Sequence, residues 1–192
     1  MRRFLSYLFF SLCCVILSKA ETIEQFFSVG NPIKFNHTDY YFAWSAHPRS
    51  IYYIQEYLPK GETFEHYDSM ISISVTFWDK EPNDLISAKI AEIEQRKKTD
   101  LVANYTIFEK DGDYILDFLV SDGDEEGLDV VEWDLHYYQK IKIEGKNATL
   151  LTFYSKRAYD DDILPFIKSI PSLRGELFDA LTGLKLDPKI NN

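Results

Sequence analysis

Cysteine is nearly missing from this chain: Cys13 and Cys14 are its two copies, and both sit inside the apolar run Phe4 to Leu17. Beyond that run no disulfide can form, so the remaining chain must be held by its own core. A cysteine nucleophile, a thiol redox pair or a cysteine-rich zinc site is equally excluded there. Histidine is sparse, and His37, His47, His66 and His136 share no metal-ligand spacing. No serine lies in a Gly-x-Ser-x-Gly context. Positive charge is also short, with 21 Lys+Arg against 31 Asp+Glu and a net charge of −10. Three of the basic residues, Arg2, Arg3 and Lys19, fall in the first 20, so the rest of the chain is more acidic still. That balance disfavours nucleic acid or an anionic membrane as partner. No second apolar run approaches membrane-spanning length, and neither internal repeats nor low-complexity segments occur.

What is present begins with a leader. Arg2 and Arg3, the apolar run and the small residues of Ser18-Lys19-Ala20 form a secretory signal peptide over residues 1–20. The chain is therefore expected to be exported, to a periplasm or the extracellular space, and to have no membrane span after cleavage. A lipid anchor at Cys13 or Cys14 is disfavoured, because Leu12 or Cys13 stands where a small residue is needed. Residues 21–49, broken by Gly30, Pro32 and Asn36, read as an irregular segment. Residues 50–186 read as one α+β domain and 187–192 as a loose tail. About 170 residues suffice for one core and not for two.

Within the domain the strongest pattern is Asp129 to Glu144. Val131, Trp133, Leu135, Tyr137, Ile141 and Ile143 take one parity, and Glu132, Asp134, His136, Tyr138, Lys140 and Lys142 the other, the signature of a strand with one buried face. Ser50 to Leu58 and Met70 to Trp78 read as two earlier strands, with Ile71, Ile73, Val75 and Phe77 inward. Between them Thr63 offers to cap a short helical turn. Asn83 or Asp84 caps the longest helix, to Lys98, with Ile86, Ile90 and Ile93 as its stripe. A meander comes next. Asp111-Gly112 is a two-residue hairpin signal that pairs Ile107 with Leu116 and Tyr105 with Phe118. A symmetric Asp122 to Gly127 loop sets Phe118 opposite Val131 and Asp117 opposite Glu132. A turn at Gly145-Lys146 sets Ile141 opposite Leu150, Tyr137 opposite Tyr154, and Asp134 opposite Arg157. Asp160 to Asp162 caps a helix to Ile170, and Ser172 caps a last one ending at Gly183. The expectation is an α+β fold, an antiparallel sheet packed by the long helix and by C-terminal helices, with the apolar parity of Asp129–Glu144 beneath the Asn83–Lys98 helix.

The order of elements, the leader, and the segment Tyr57-Leu58-Pro59-Lys60-Gly61 followed by a short turn and Met70 resemble small exported bacterial domains of the Mog1/PsbP-like type. The segment is also similar to a strand-Pro-x-Gly element in uncharacterised periplasmic proteins. The resemblance covers about Ile51 to Ile170 and implies a binding or assembly-factor role.

Four residues are candidates for chemistry. Asp117, Glu132, Asp134 and His136 form one acidic and imidazole row, suited to acid/base or metal-assisted hydrolysis if the protein is an enzyme. Like charges opposite one another cost up to about 1 kcal/mol, so a cation, a partner's Lys or Arg, or a carboxyl that keeps its proton is expected beside them. A Ser155, His136, Asp134 grouping can be drawn, but residues two apart on a strand run parallel, which suits a triad poorly. Asp122, Asp124 and Glu126 mimic the start of a calcium loop, with Gly127 at its sixth position, yet Trp133 stands where the bidentate Glu belongs. No cofactor is expected, calcium being the one metal the sequence suggests. Tyr40, Tyr41, Phe42 and Trp44, with Tyr52, Tyr53 and Tyr57, suggest core packing or a stacking platform. Asn36, Asn104 and Asn147 each open an Asn-x-Thr sequon, which applies in a eukaryotic host. The function expected is an exported, non-catalytic module binding a protein, a small molecule or a glycan, with a hydrolase or a calcium-stabilised structural domain as alternatives.

Overall fold

The computed structural model describes residues 24–124 and 127–191, so the expected signal peptide and both cysteines lie outside the described residues. Strands take 51% of the structure and helices 23%, which corrects the α+β expectation: the protein is mainly β. Among the described residues ten strands are formed: β1 Phe27–Ser28, β2 Ile33–Phe35, β3 Thr38–Arg49, β4 Tyr52–Pro59, β5 Ser69–Phe77, β6 Asn104–Lys110, β7 Asp113–Gly123, β8 Leu128–Ile143, β9 Lys146–Tyr159 and β10 Lys189–Ile190. Eight of them make one curled antiparallel half-barrel sheet in the order β2-β3-β4-β5-β9-β8-β7-β6, while β1 pairs with β10. Helix α1 spans Asn83–Arg96, and α2 spans Ile163–Gly183 after a short 3-10 turn at Asp160–Asp162. Among the described residues no helix is long and apolar enough to cross a membrane.

The sheet is larger than expected because β2 and β3 occupy most of residues 33–49, a stretch expected to be irregular. Asn36 and His37 both take positive φ, 40° and 64°, and close a hairpin between β2 and β3. Tyr40 and Tyr57 are buried, whereas Tyr41, 40% exposed, borders a shallow hollow of about 350 Å³ with Pro59 and Glu62. Within the expected loose tail, residues 189–191 are tied down, since Phe27 pairs with Ile190 and the Asn191 amide donates to the carbonyl of Gln25. Thr63 caps no helix; its backbone exchanges hydrogen bonds with His66 in an irregular loop. At the C-terminal end the two expected helices are one, continuous through Pro171. Pro165 falls in its first turn, where a missing N–H costs nothing.

Strand β8 lies near the centre of the sheet, and its two parities face two different layers. Val131, Trp133, Leu135 and Tyr137 join Ile71, Ile73, Val75, Leu150 and Tyr154 in the main core, covered by Ile163, Phe166, Ile170, Leu177 and Leu181 of α2. The expectation that α1 covers this seam is therefore overturned. Ile86 and Ile93 of α1 pack on the opposite face, against Leu116, Phe118, Val120 and Tyr138. A clasp fixes that placement. Asp100, just past α1, accepts bonds from the backbone N of Ser121 at 2.7 Å and its hydroxyl at 2.6 Å, and from Nε of Arg96 at 3.0 Å.

The registers explain which side chains meet. Asp111 and Gly112 have φ of 56° and 84°, and β6 pairs with β7 in the expected register, Tyr105 with Phe118 and Ile107 with Leu116. The next two registers depart from expectation. The β8–β9 turn is Glu144-Gly145, with φ of 51° and 79°, so β9 slips by two: Ile141 faces Ala148, Tyr137 faces Thr152, and Asp134 faces Ser155 rather than Arg157. A slip of two keeps side chains on their faces. The β7–β8 hairpin has an irregularity at Asp122/Gly123, and Phe118 faces Asp134, Val120 faces Glu132 and Asp117 faces Leu135. That register is displaced by an odd number of residues, so β7 turns over relative to β8.

Candidate functional site

Turning β7 over has a chemical result. Its apolar side, Leu116, Phe118 and Val120, comes onto the same face as the polar parity of β8. This face is roofed by α1 on one side and by the Phe64 to Tyr67 loop on the other, and between them lies a cleft of about 1050 Å³. Its floor is the row Glu132, Asp134, His136 and Tyr138, flanked by Phe153, Ser155 and Arg157 of β9. A cleft of this size, apolar-walled with a few convergent polar groups, fits a small molecule.

Asp117 does not belong to it. On the α2 face its carboxylate accepts the Trp133 indole N–H at 2.8 Å and Nε of Arg174 at 2.6 Å. The pairing of Asp117 with Glu132 is therefore overturned, and with it the expected like-charge contact between strands. Glu132, Asp134 and His136 do come together. Glu132 accepts the Tyr67 hydroxyl at 2.7 Å and Nε of Arg157 at 2.5 Å, and the Arg157 guanidinium stacks 3.9 Å over the Tyr67 ring. The Tyr159 hydroxyl donates to the Tyr67 carbonyl at 2.9 Å, which holds the roof down.

Asp134 is 4% exposed and takes a short hydrogen bond from the Ser155 hydroxyl. Burial raises its carboxyl well above the usual value and the neighbouring Glu132 raises it further, while Ser155 and the Lys89 ammonium of α1 oppose the rise. Its surroundings therefore favour the protonated form. His136 packs edge-on to Phe118 at 4.8 Å and near Phe153 at 4.8 Å, with Nδ1 3.3 Å from the Tyr138 hydroxyl. Burial, and then the Lys89 ammonium, push its imidazole well below its usual value, so it is neutral. No bond joins it to Ser155 or Asp134 among the described contacts, and the serine triad is not assembled.

The calcium-loop residues fare differently. Asp122 lies within β7 opposite Val130, the backbone N of Asp124 bonds to the Gly127 carbonyl at 2.9 Å, and Glu126 lies outside the described residues. Among the described residues no group of three or more His, Cys, Asp or Glu side chains could hold a metal ion. Sequence reasoning missed Tyr67, Lys89 and Glu56 as cleft residues. Tyr67 and Lys89 sit in a loop and on a helix whose periodicity says nothing about which face of the sheet they cover. Glu56 carried a signal, a charge inside the apolar run of β4.

A protein-family model matches residues 27–186, from β1 to just past α2. The chain belongs to that family. The family is uncharacterised, so membership brings no activity with it. No curated protein matches the chain.

Proposed function

We propose that the mature chain is an exported small-molecule binding module whose site is the cleft beneath α1. The observation that supports this reading is the composition of the cleft: aromatic and aliphatic walls converge on buried hydrogen-bonding groups that are held in place by Tyr67, Arg157 and Ser155. Buried polar groups retained in a roomy cleft are costly to the fold, and a ligand's complementary groups would offset that cost. The assembly-factor role implied by the Mog1/PsbP-like resemblance is a variant of the same reading with a protein as the ligand. Titration with an environment-sensitive amphipathic dye tests it. Saturable one-to-one binding is expected, abolished by Leu151→Trp in the cleft wall and retained in Leu164→Trp on the exposed side of α2. Dye binding indifferent to Leu151→Trp overturns the reading.

The Asp134 carboxyl, pushed toward its protonated form by burial and by Glu132, favours one second reading, acid-assisted hydrolysis with Asp134 as proton donor. A screen of chromogenic esters and glycosides tests it; turnover that survives Asp134→Asn removes Asp134 from the role.

A further inference from the structure

Resting on the reading of the cleft as a binding site, we infer that its ligand is a hydrophobic amine, bound as the ammonium, with the charge at Asp134 and Glu132 and the apolar body against Phe118 and Phe153. The charged groups of the cleft differ in the partners they already have. Arg157 is engaged by Glu132 and stacked on Tyr67. Lys89 is engaged by Glu92 at 3.1 Å. Asp134 receives the hydroxyl of Ser155 and lies beside the Glu132 carboxyl, so neither neighbour on the floor of the cleft brings it a positive charge. The two carboxyls of the floor share one guanidinium, so ionising Asp134 calls for a second positive charge there, and a ligand's ammonium is the group that supplies it.

The walls agree with the floor. Phe118, His136 and Phe153 stand with ring centroids 4.8 Å apart along the row, the kind of aromatic lining that favours a cation over its faces. The cleft already holds one ammonium in this way: Nζ of Lys89 lies over the Phe118 ring, 5.5 Å from its centroid. An anionic ligand would instead meet the Glu132 and Asp134 carboxyls on a floor whose guanidinium is already engaged. Burial disfavours the charged form of Asp134, so an ammonium arriving there promotes its ionisation, and proton release becomes a signature of binding. The titratable and charged groups around that event are Glu132 and His136 on β8, Arg157 on β9, Tyr67 in the roof, Lys89 on α1 and Glu56 on β4.

Three fluorescent probes on the intact protein test the inference: dansylcadaverine, its neutral N-acetyl derivative, and an anionic anilinonaphthalene sulfonate. Dansylcadaverine should bind at least about tenfold tighter than the acetylated probe. Calorimetry in two buffers of different ionisation enthalpy should show proton release on amine binding, absent in Asp134→Asn. Asp134→Asn should erase the preference for the amine. Lys89→Gln, which removes the competing ammonium and leaves the floor carboxyls in place, should strengthen it, so the inference stays testable if Asp134→Asn folds poorly. Equal or tighter binding of the neutral or anionic probe overturns the amine assignment and leaves the cleft as a site. Failure of all three probes to bind overturns the site and the assignment together.

Discussion

Replacing Arg157 with methionine isolates the interaction that holds the cleft floor together. The Arg157 and Glu132 side chains are 11% and 9% exposed, so their ion pair is screened by protein rather than by water. Removing one member of such a pair strands the other, at about 3–5 kcal/mol. In this protein the stranded group is a carboxylate beside a second carboxyl, and Tyr67 loses the guanidinium stacked on its ring. For a chain of this size a loss of about 3–5 kcal/mol lowers the melting temperature by roughly 10 °C. Urea unfolding followed by tryptophan fluorescence and circular dichroism measures it, with an unchanged m-value showing that the native fold is retained. The decisive quantity is the double-mutant cycle. In Glu132→Gln with Arg157→Met both members of the pair are gone, and the two losses should fall short of additivity by about 2 kcal/mol. A coupling below about 0.5 kcal/mol would place the pair with exposed salt bridges and refute the description of a sealed floor.

Stability should depend on pH through two groups of opposite sign. Asp134 binds its proton more tightly folded than unfolded, so the wild type loses stability as pH rises above the usual value of 3.8 toward the raised folded value, and Asp134→Asn removes that slope. His136 is held neutral, so stability is lost as pH falls below its usual 6.5, a loss that His136→Gln abolishes in the same urea titrations. A Cβ at Gly123 would lie 2.1 Å from the Gly127 carbonyl oxygen, backbone against backbone. Gly123→Ala should therefore cost roughly 1–3 kcal/mol in urea unfolding, and a neutral result would show that the hairpin irregularity is dispensable. Pro171 lies exposed inside α2. Pro171→Ala restores a helical hydrogen bond and should stabilise by about 1–3 kcal/mol in thermal unfolding; a loss would mean that α2 needs the proline to follow the sheet.

The sequence was most legible where a turn and a periodicity agree. Asp111-Gly112 announces a type of turn with two positive-φ residues, and the alternation on both sides admits one register, which the structure adopts. At the far end of β8 the same kind of turn is built on Glu144, a residue that seldom takes positive φ, so the turn reads one residue late and β9 two residues out. At Asp122/Gly123 the alternation itself misleads. Matching β7's apolar side to β8's apolar side is the obvious choice when one face is taken to be wet, but both faces of this sheet are covered. The candidate site was half visible for the same reason: Glu132, Asp134 and His136 share a strand, and period two alone unites them. Asp117 was misassigned because only the turn, not the pattern, decides its face. The N-terminal strands were hidden because Ile33 to Trp44 alternates poorly, and the Asn36-His37 turn has no glycine to mark it.

Strand β8 separates two jobs along a single stretch of chain. Its odd-numbered residues from Val131 to Tyr137 belong to the packing beneath α2, and its even-numbered residues from Glu132 to Tyr138 belong to the cleft. On the binding role proposed for the cleft, specificity can change at every second codon while the intervening ones stay constant, and the scaffold need not refold. Within the family, divergence in what is bound should appear as variation confined to alternate positions of this one strand, a pattern that an alignment of its members can reveal without a ligand in hand.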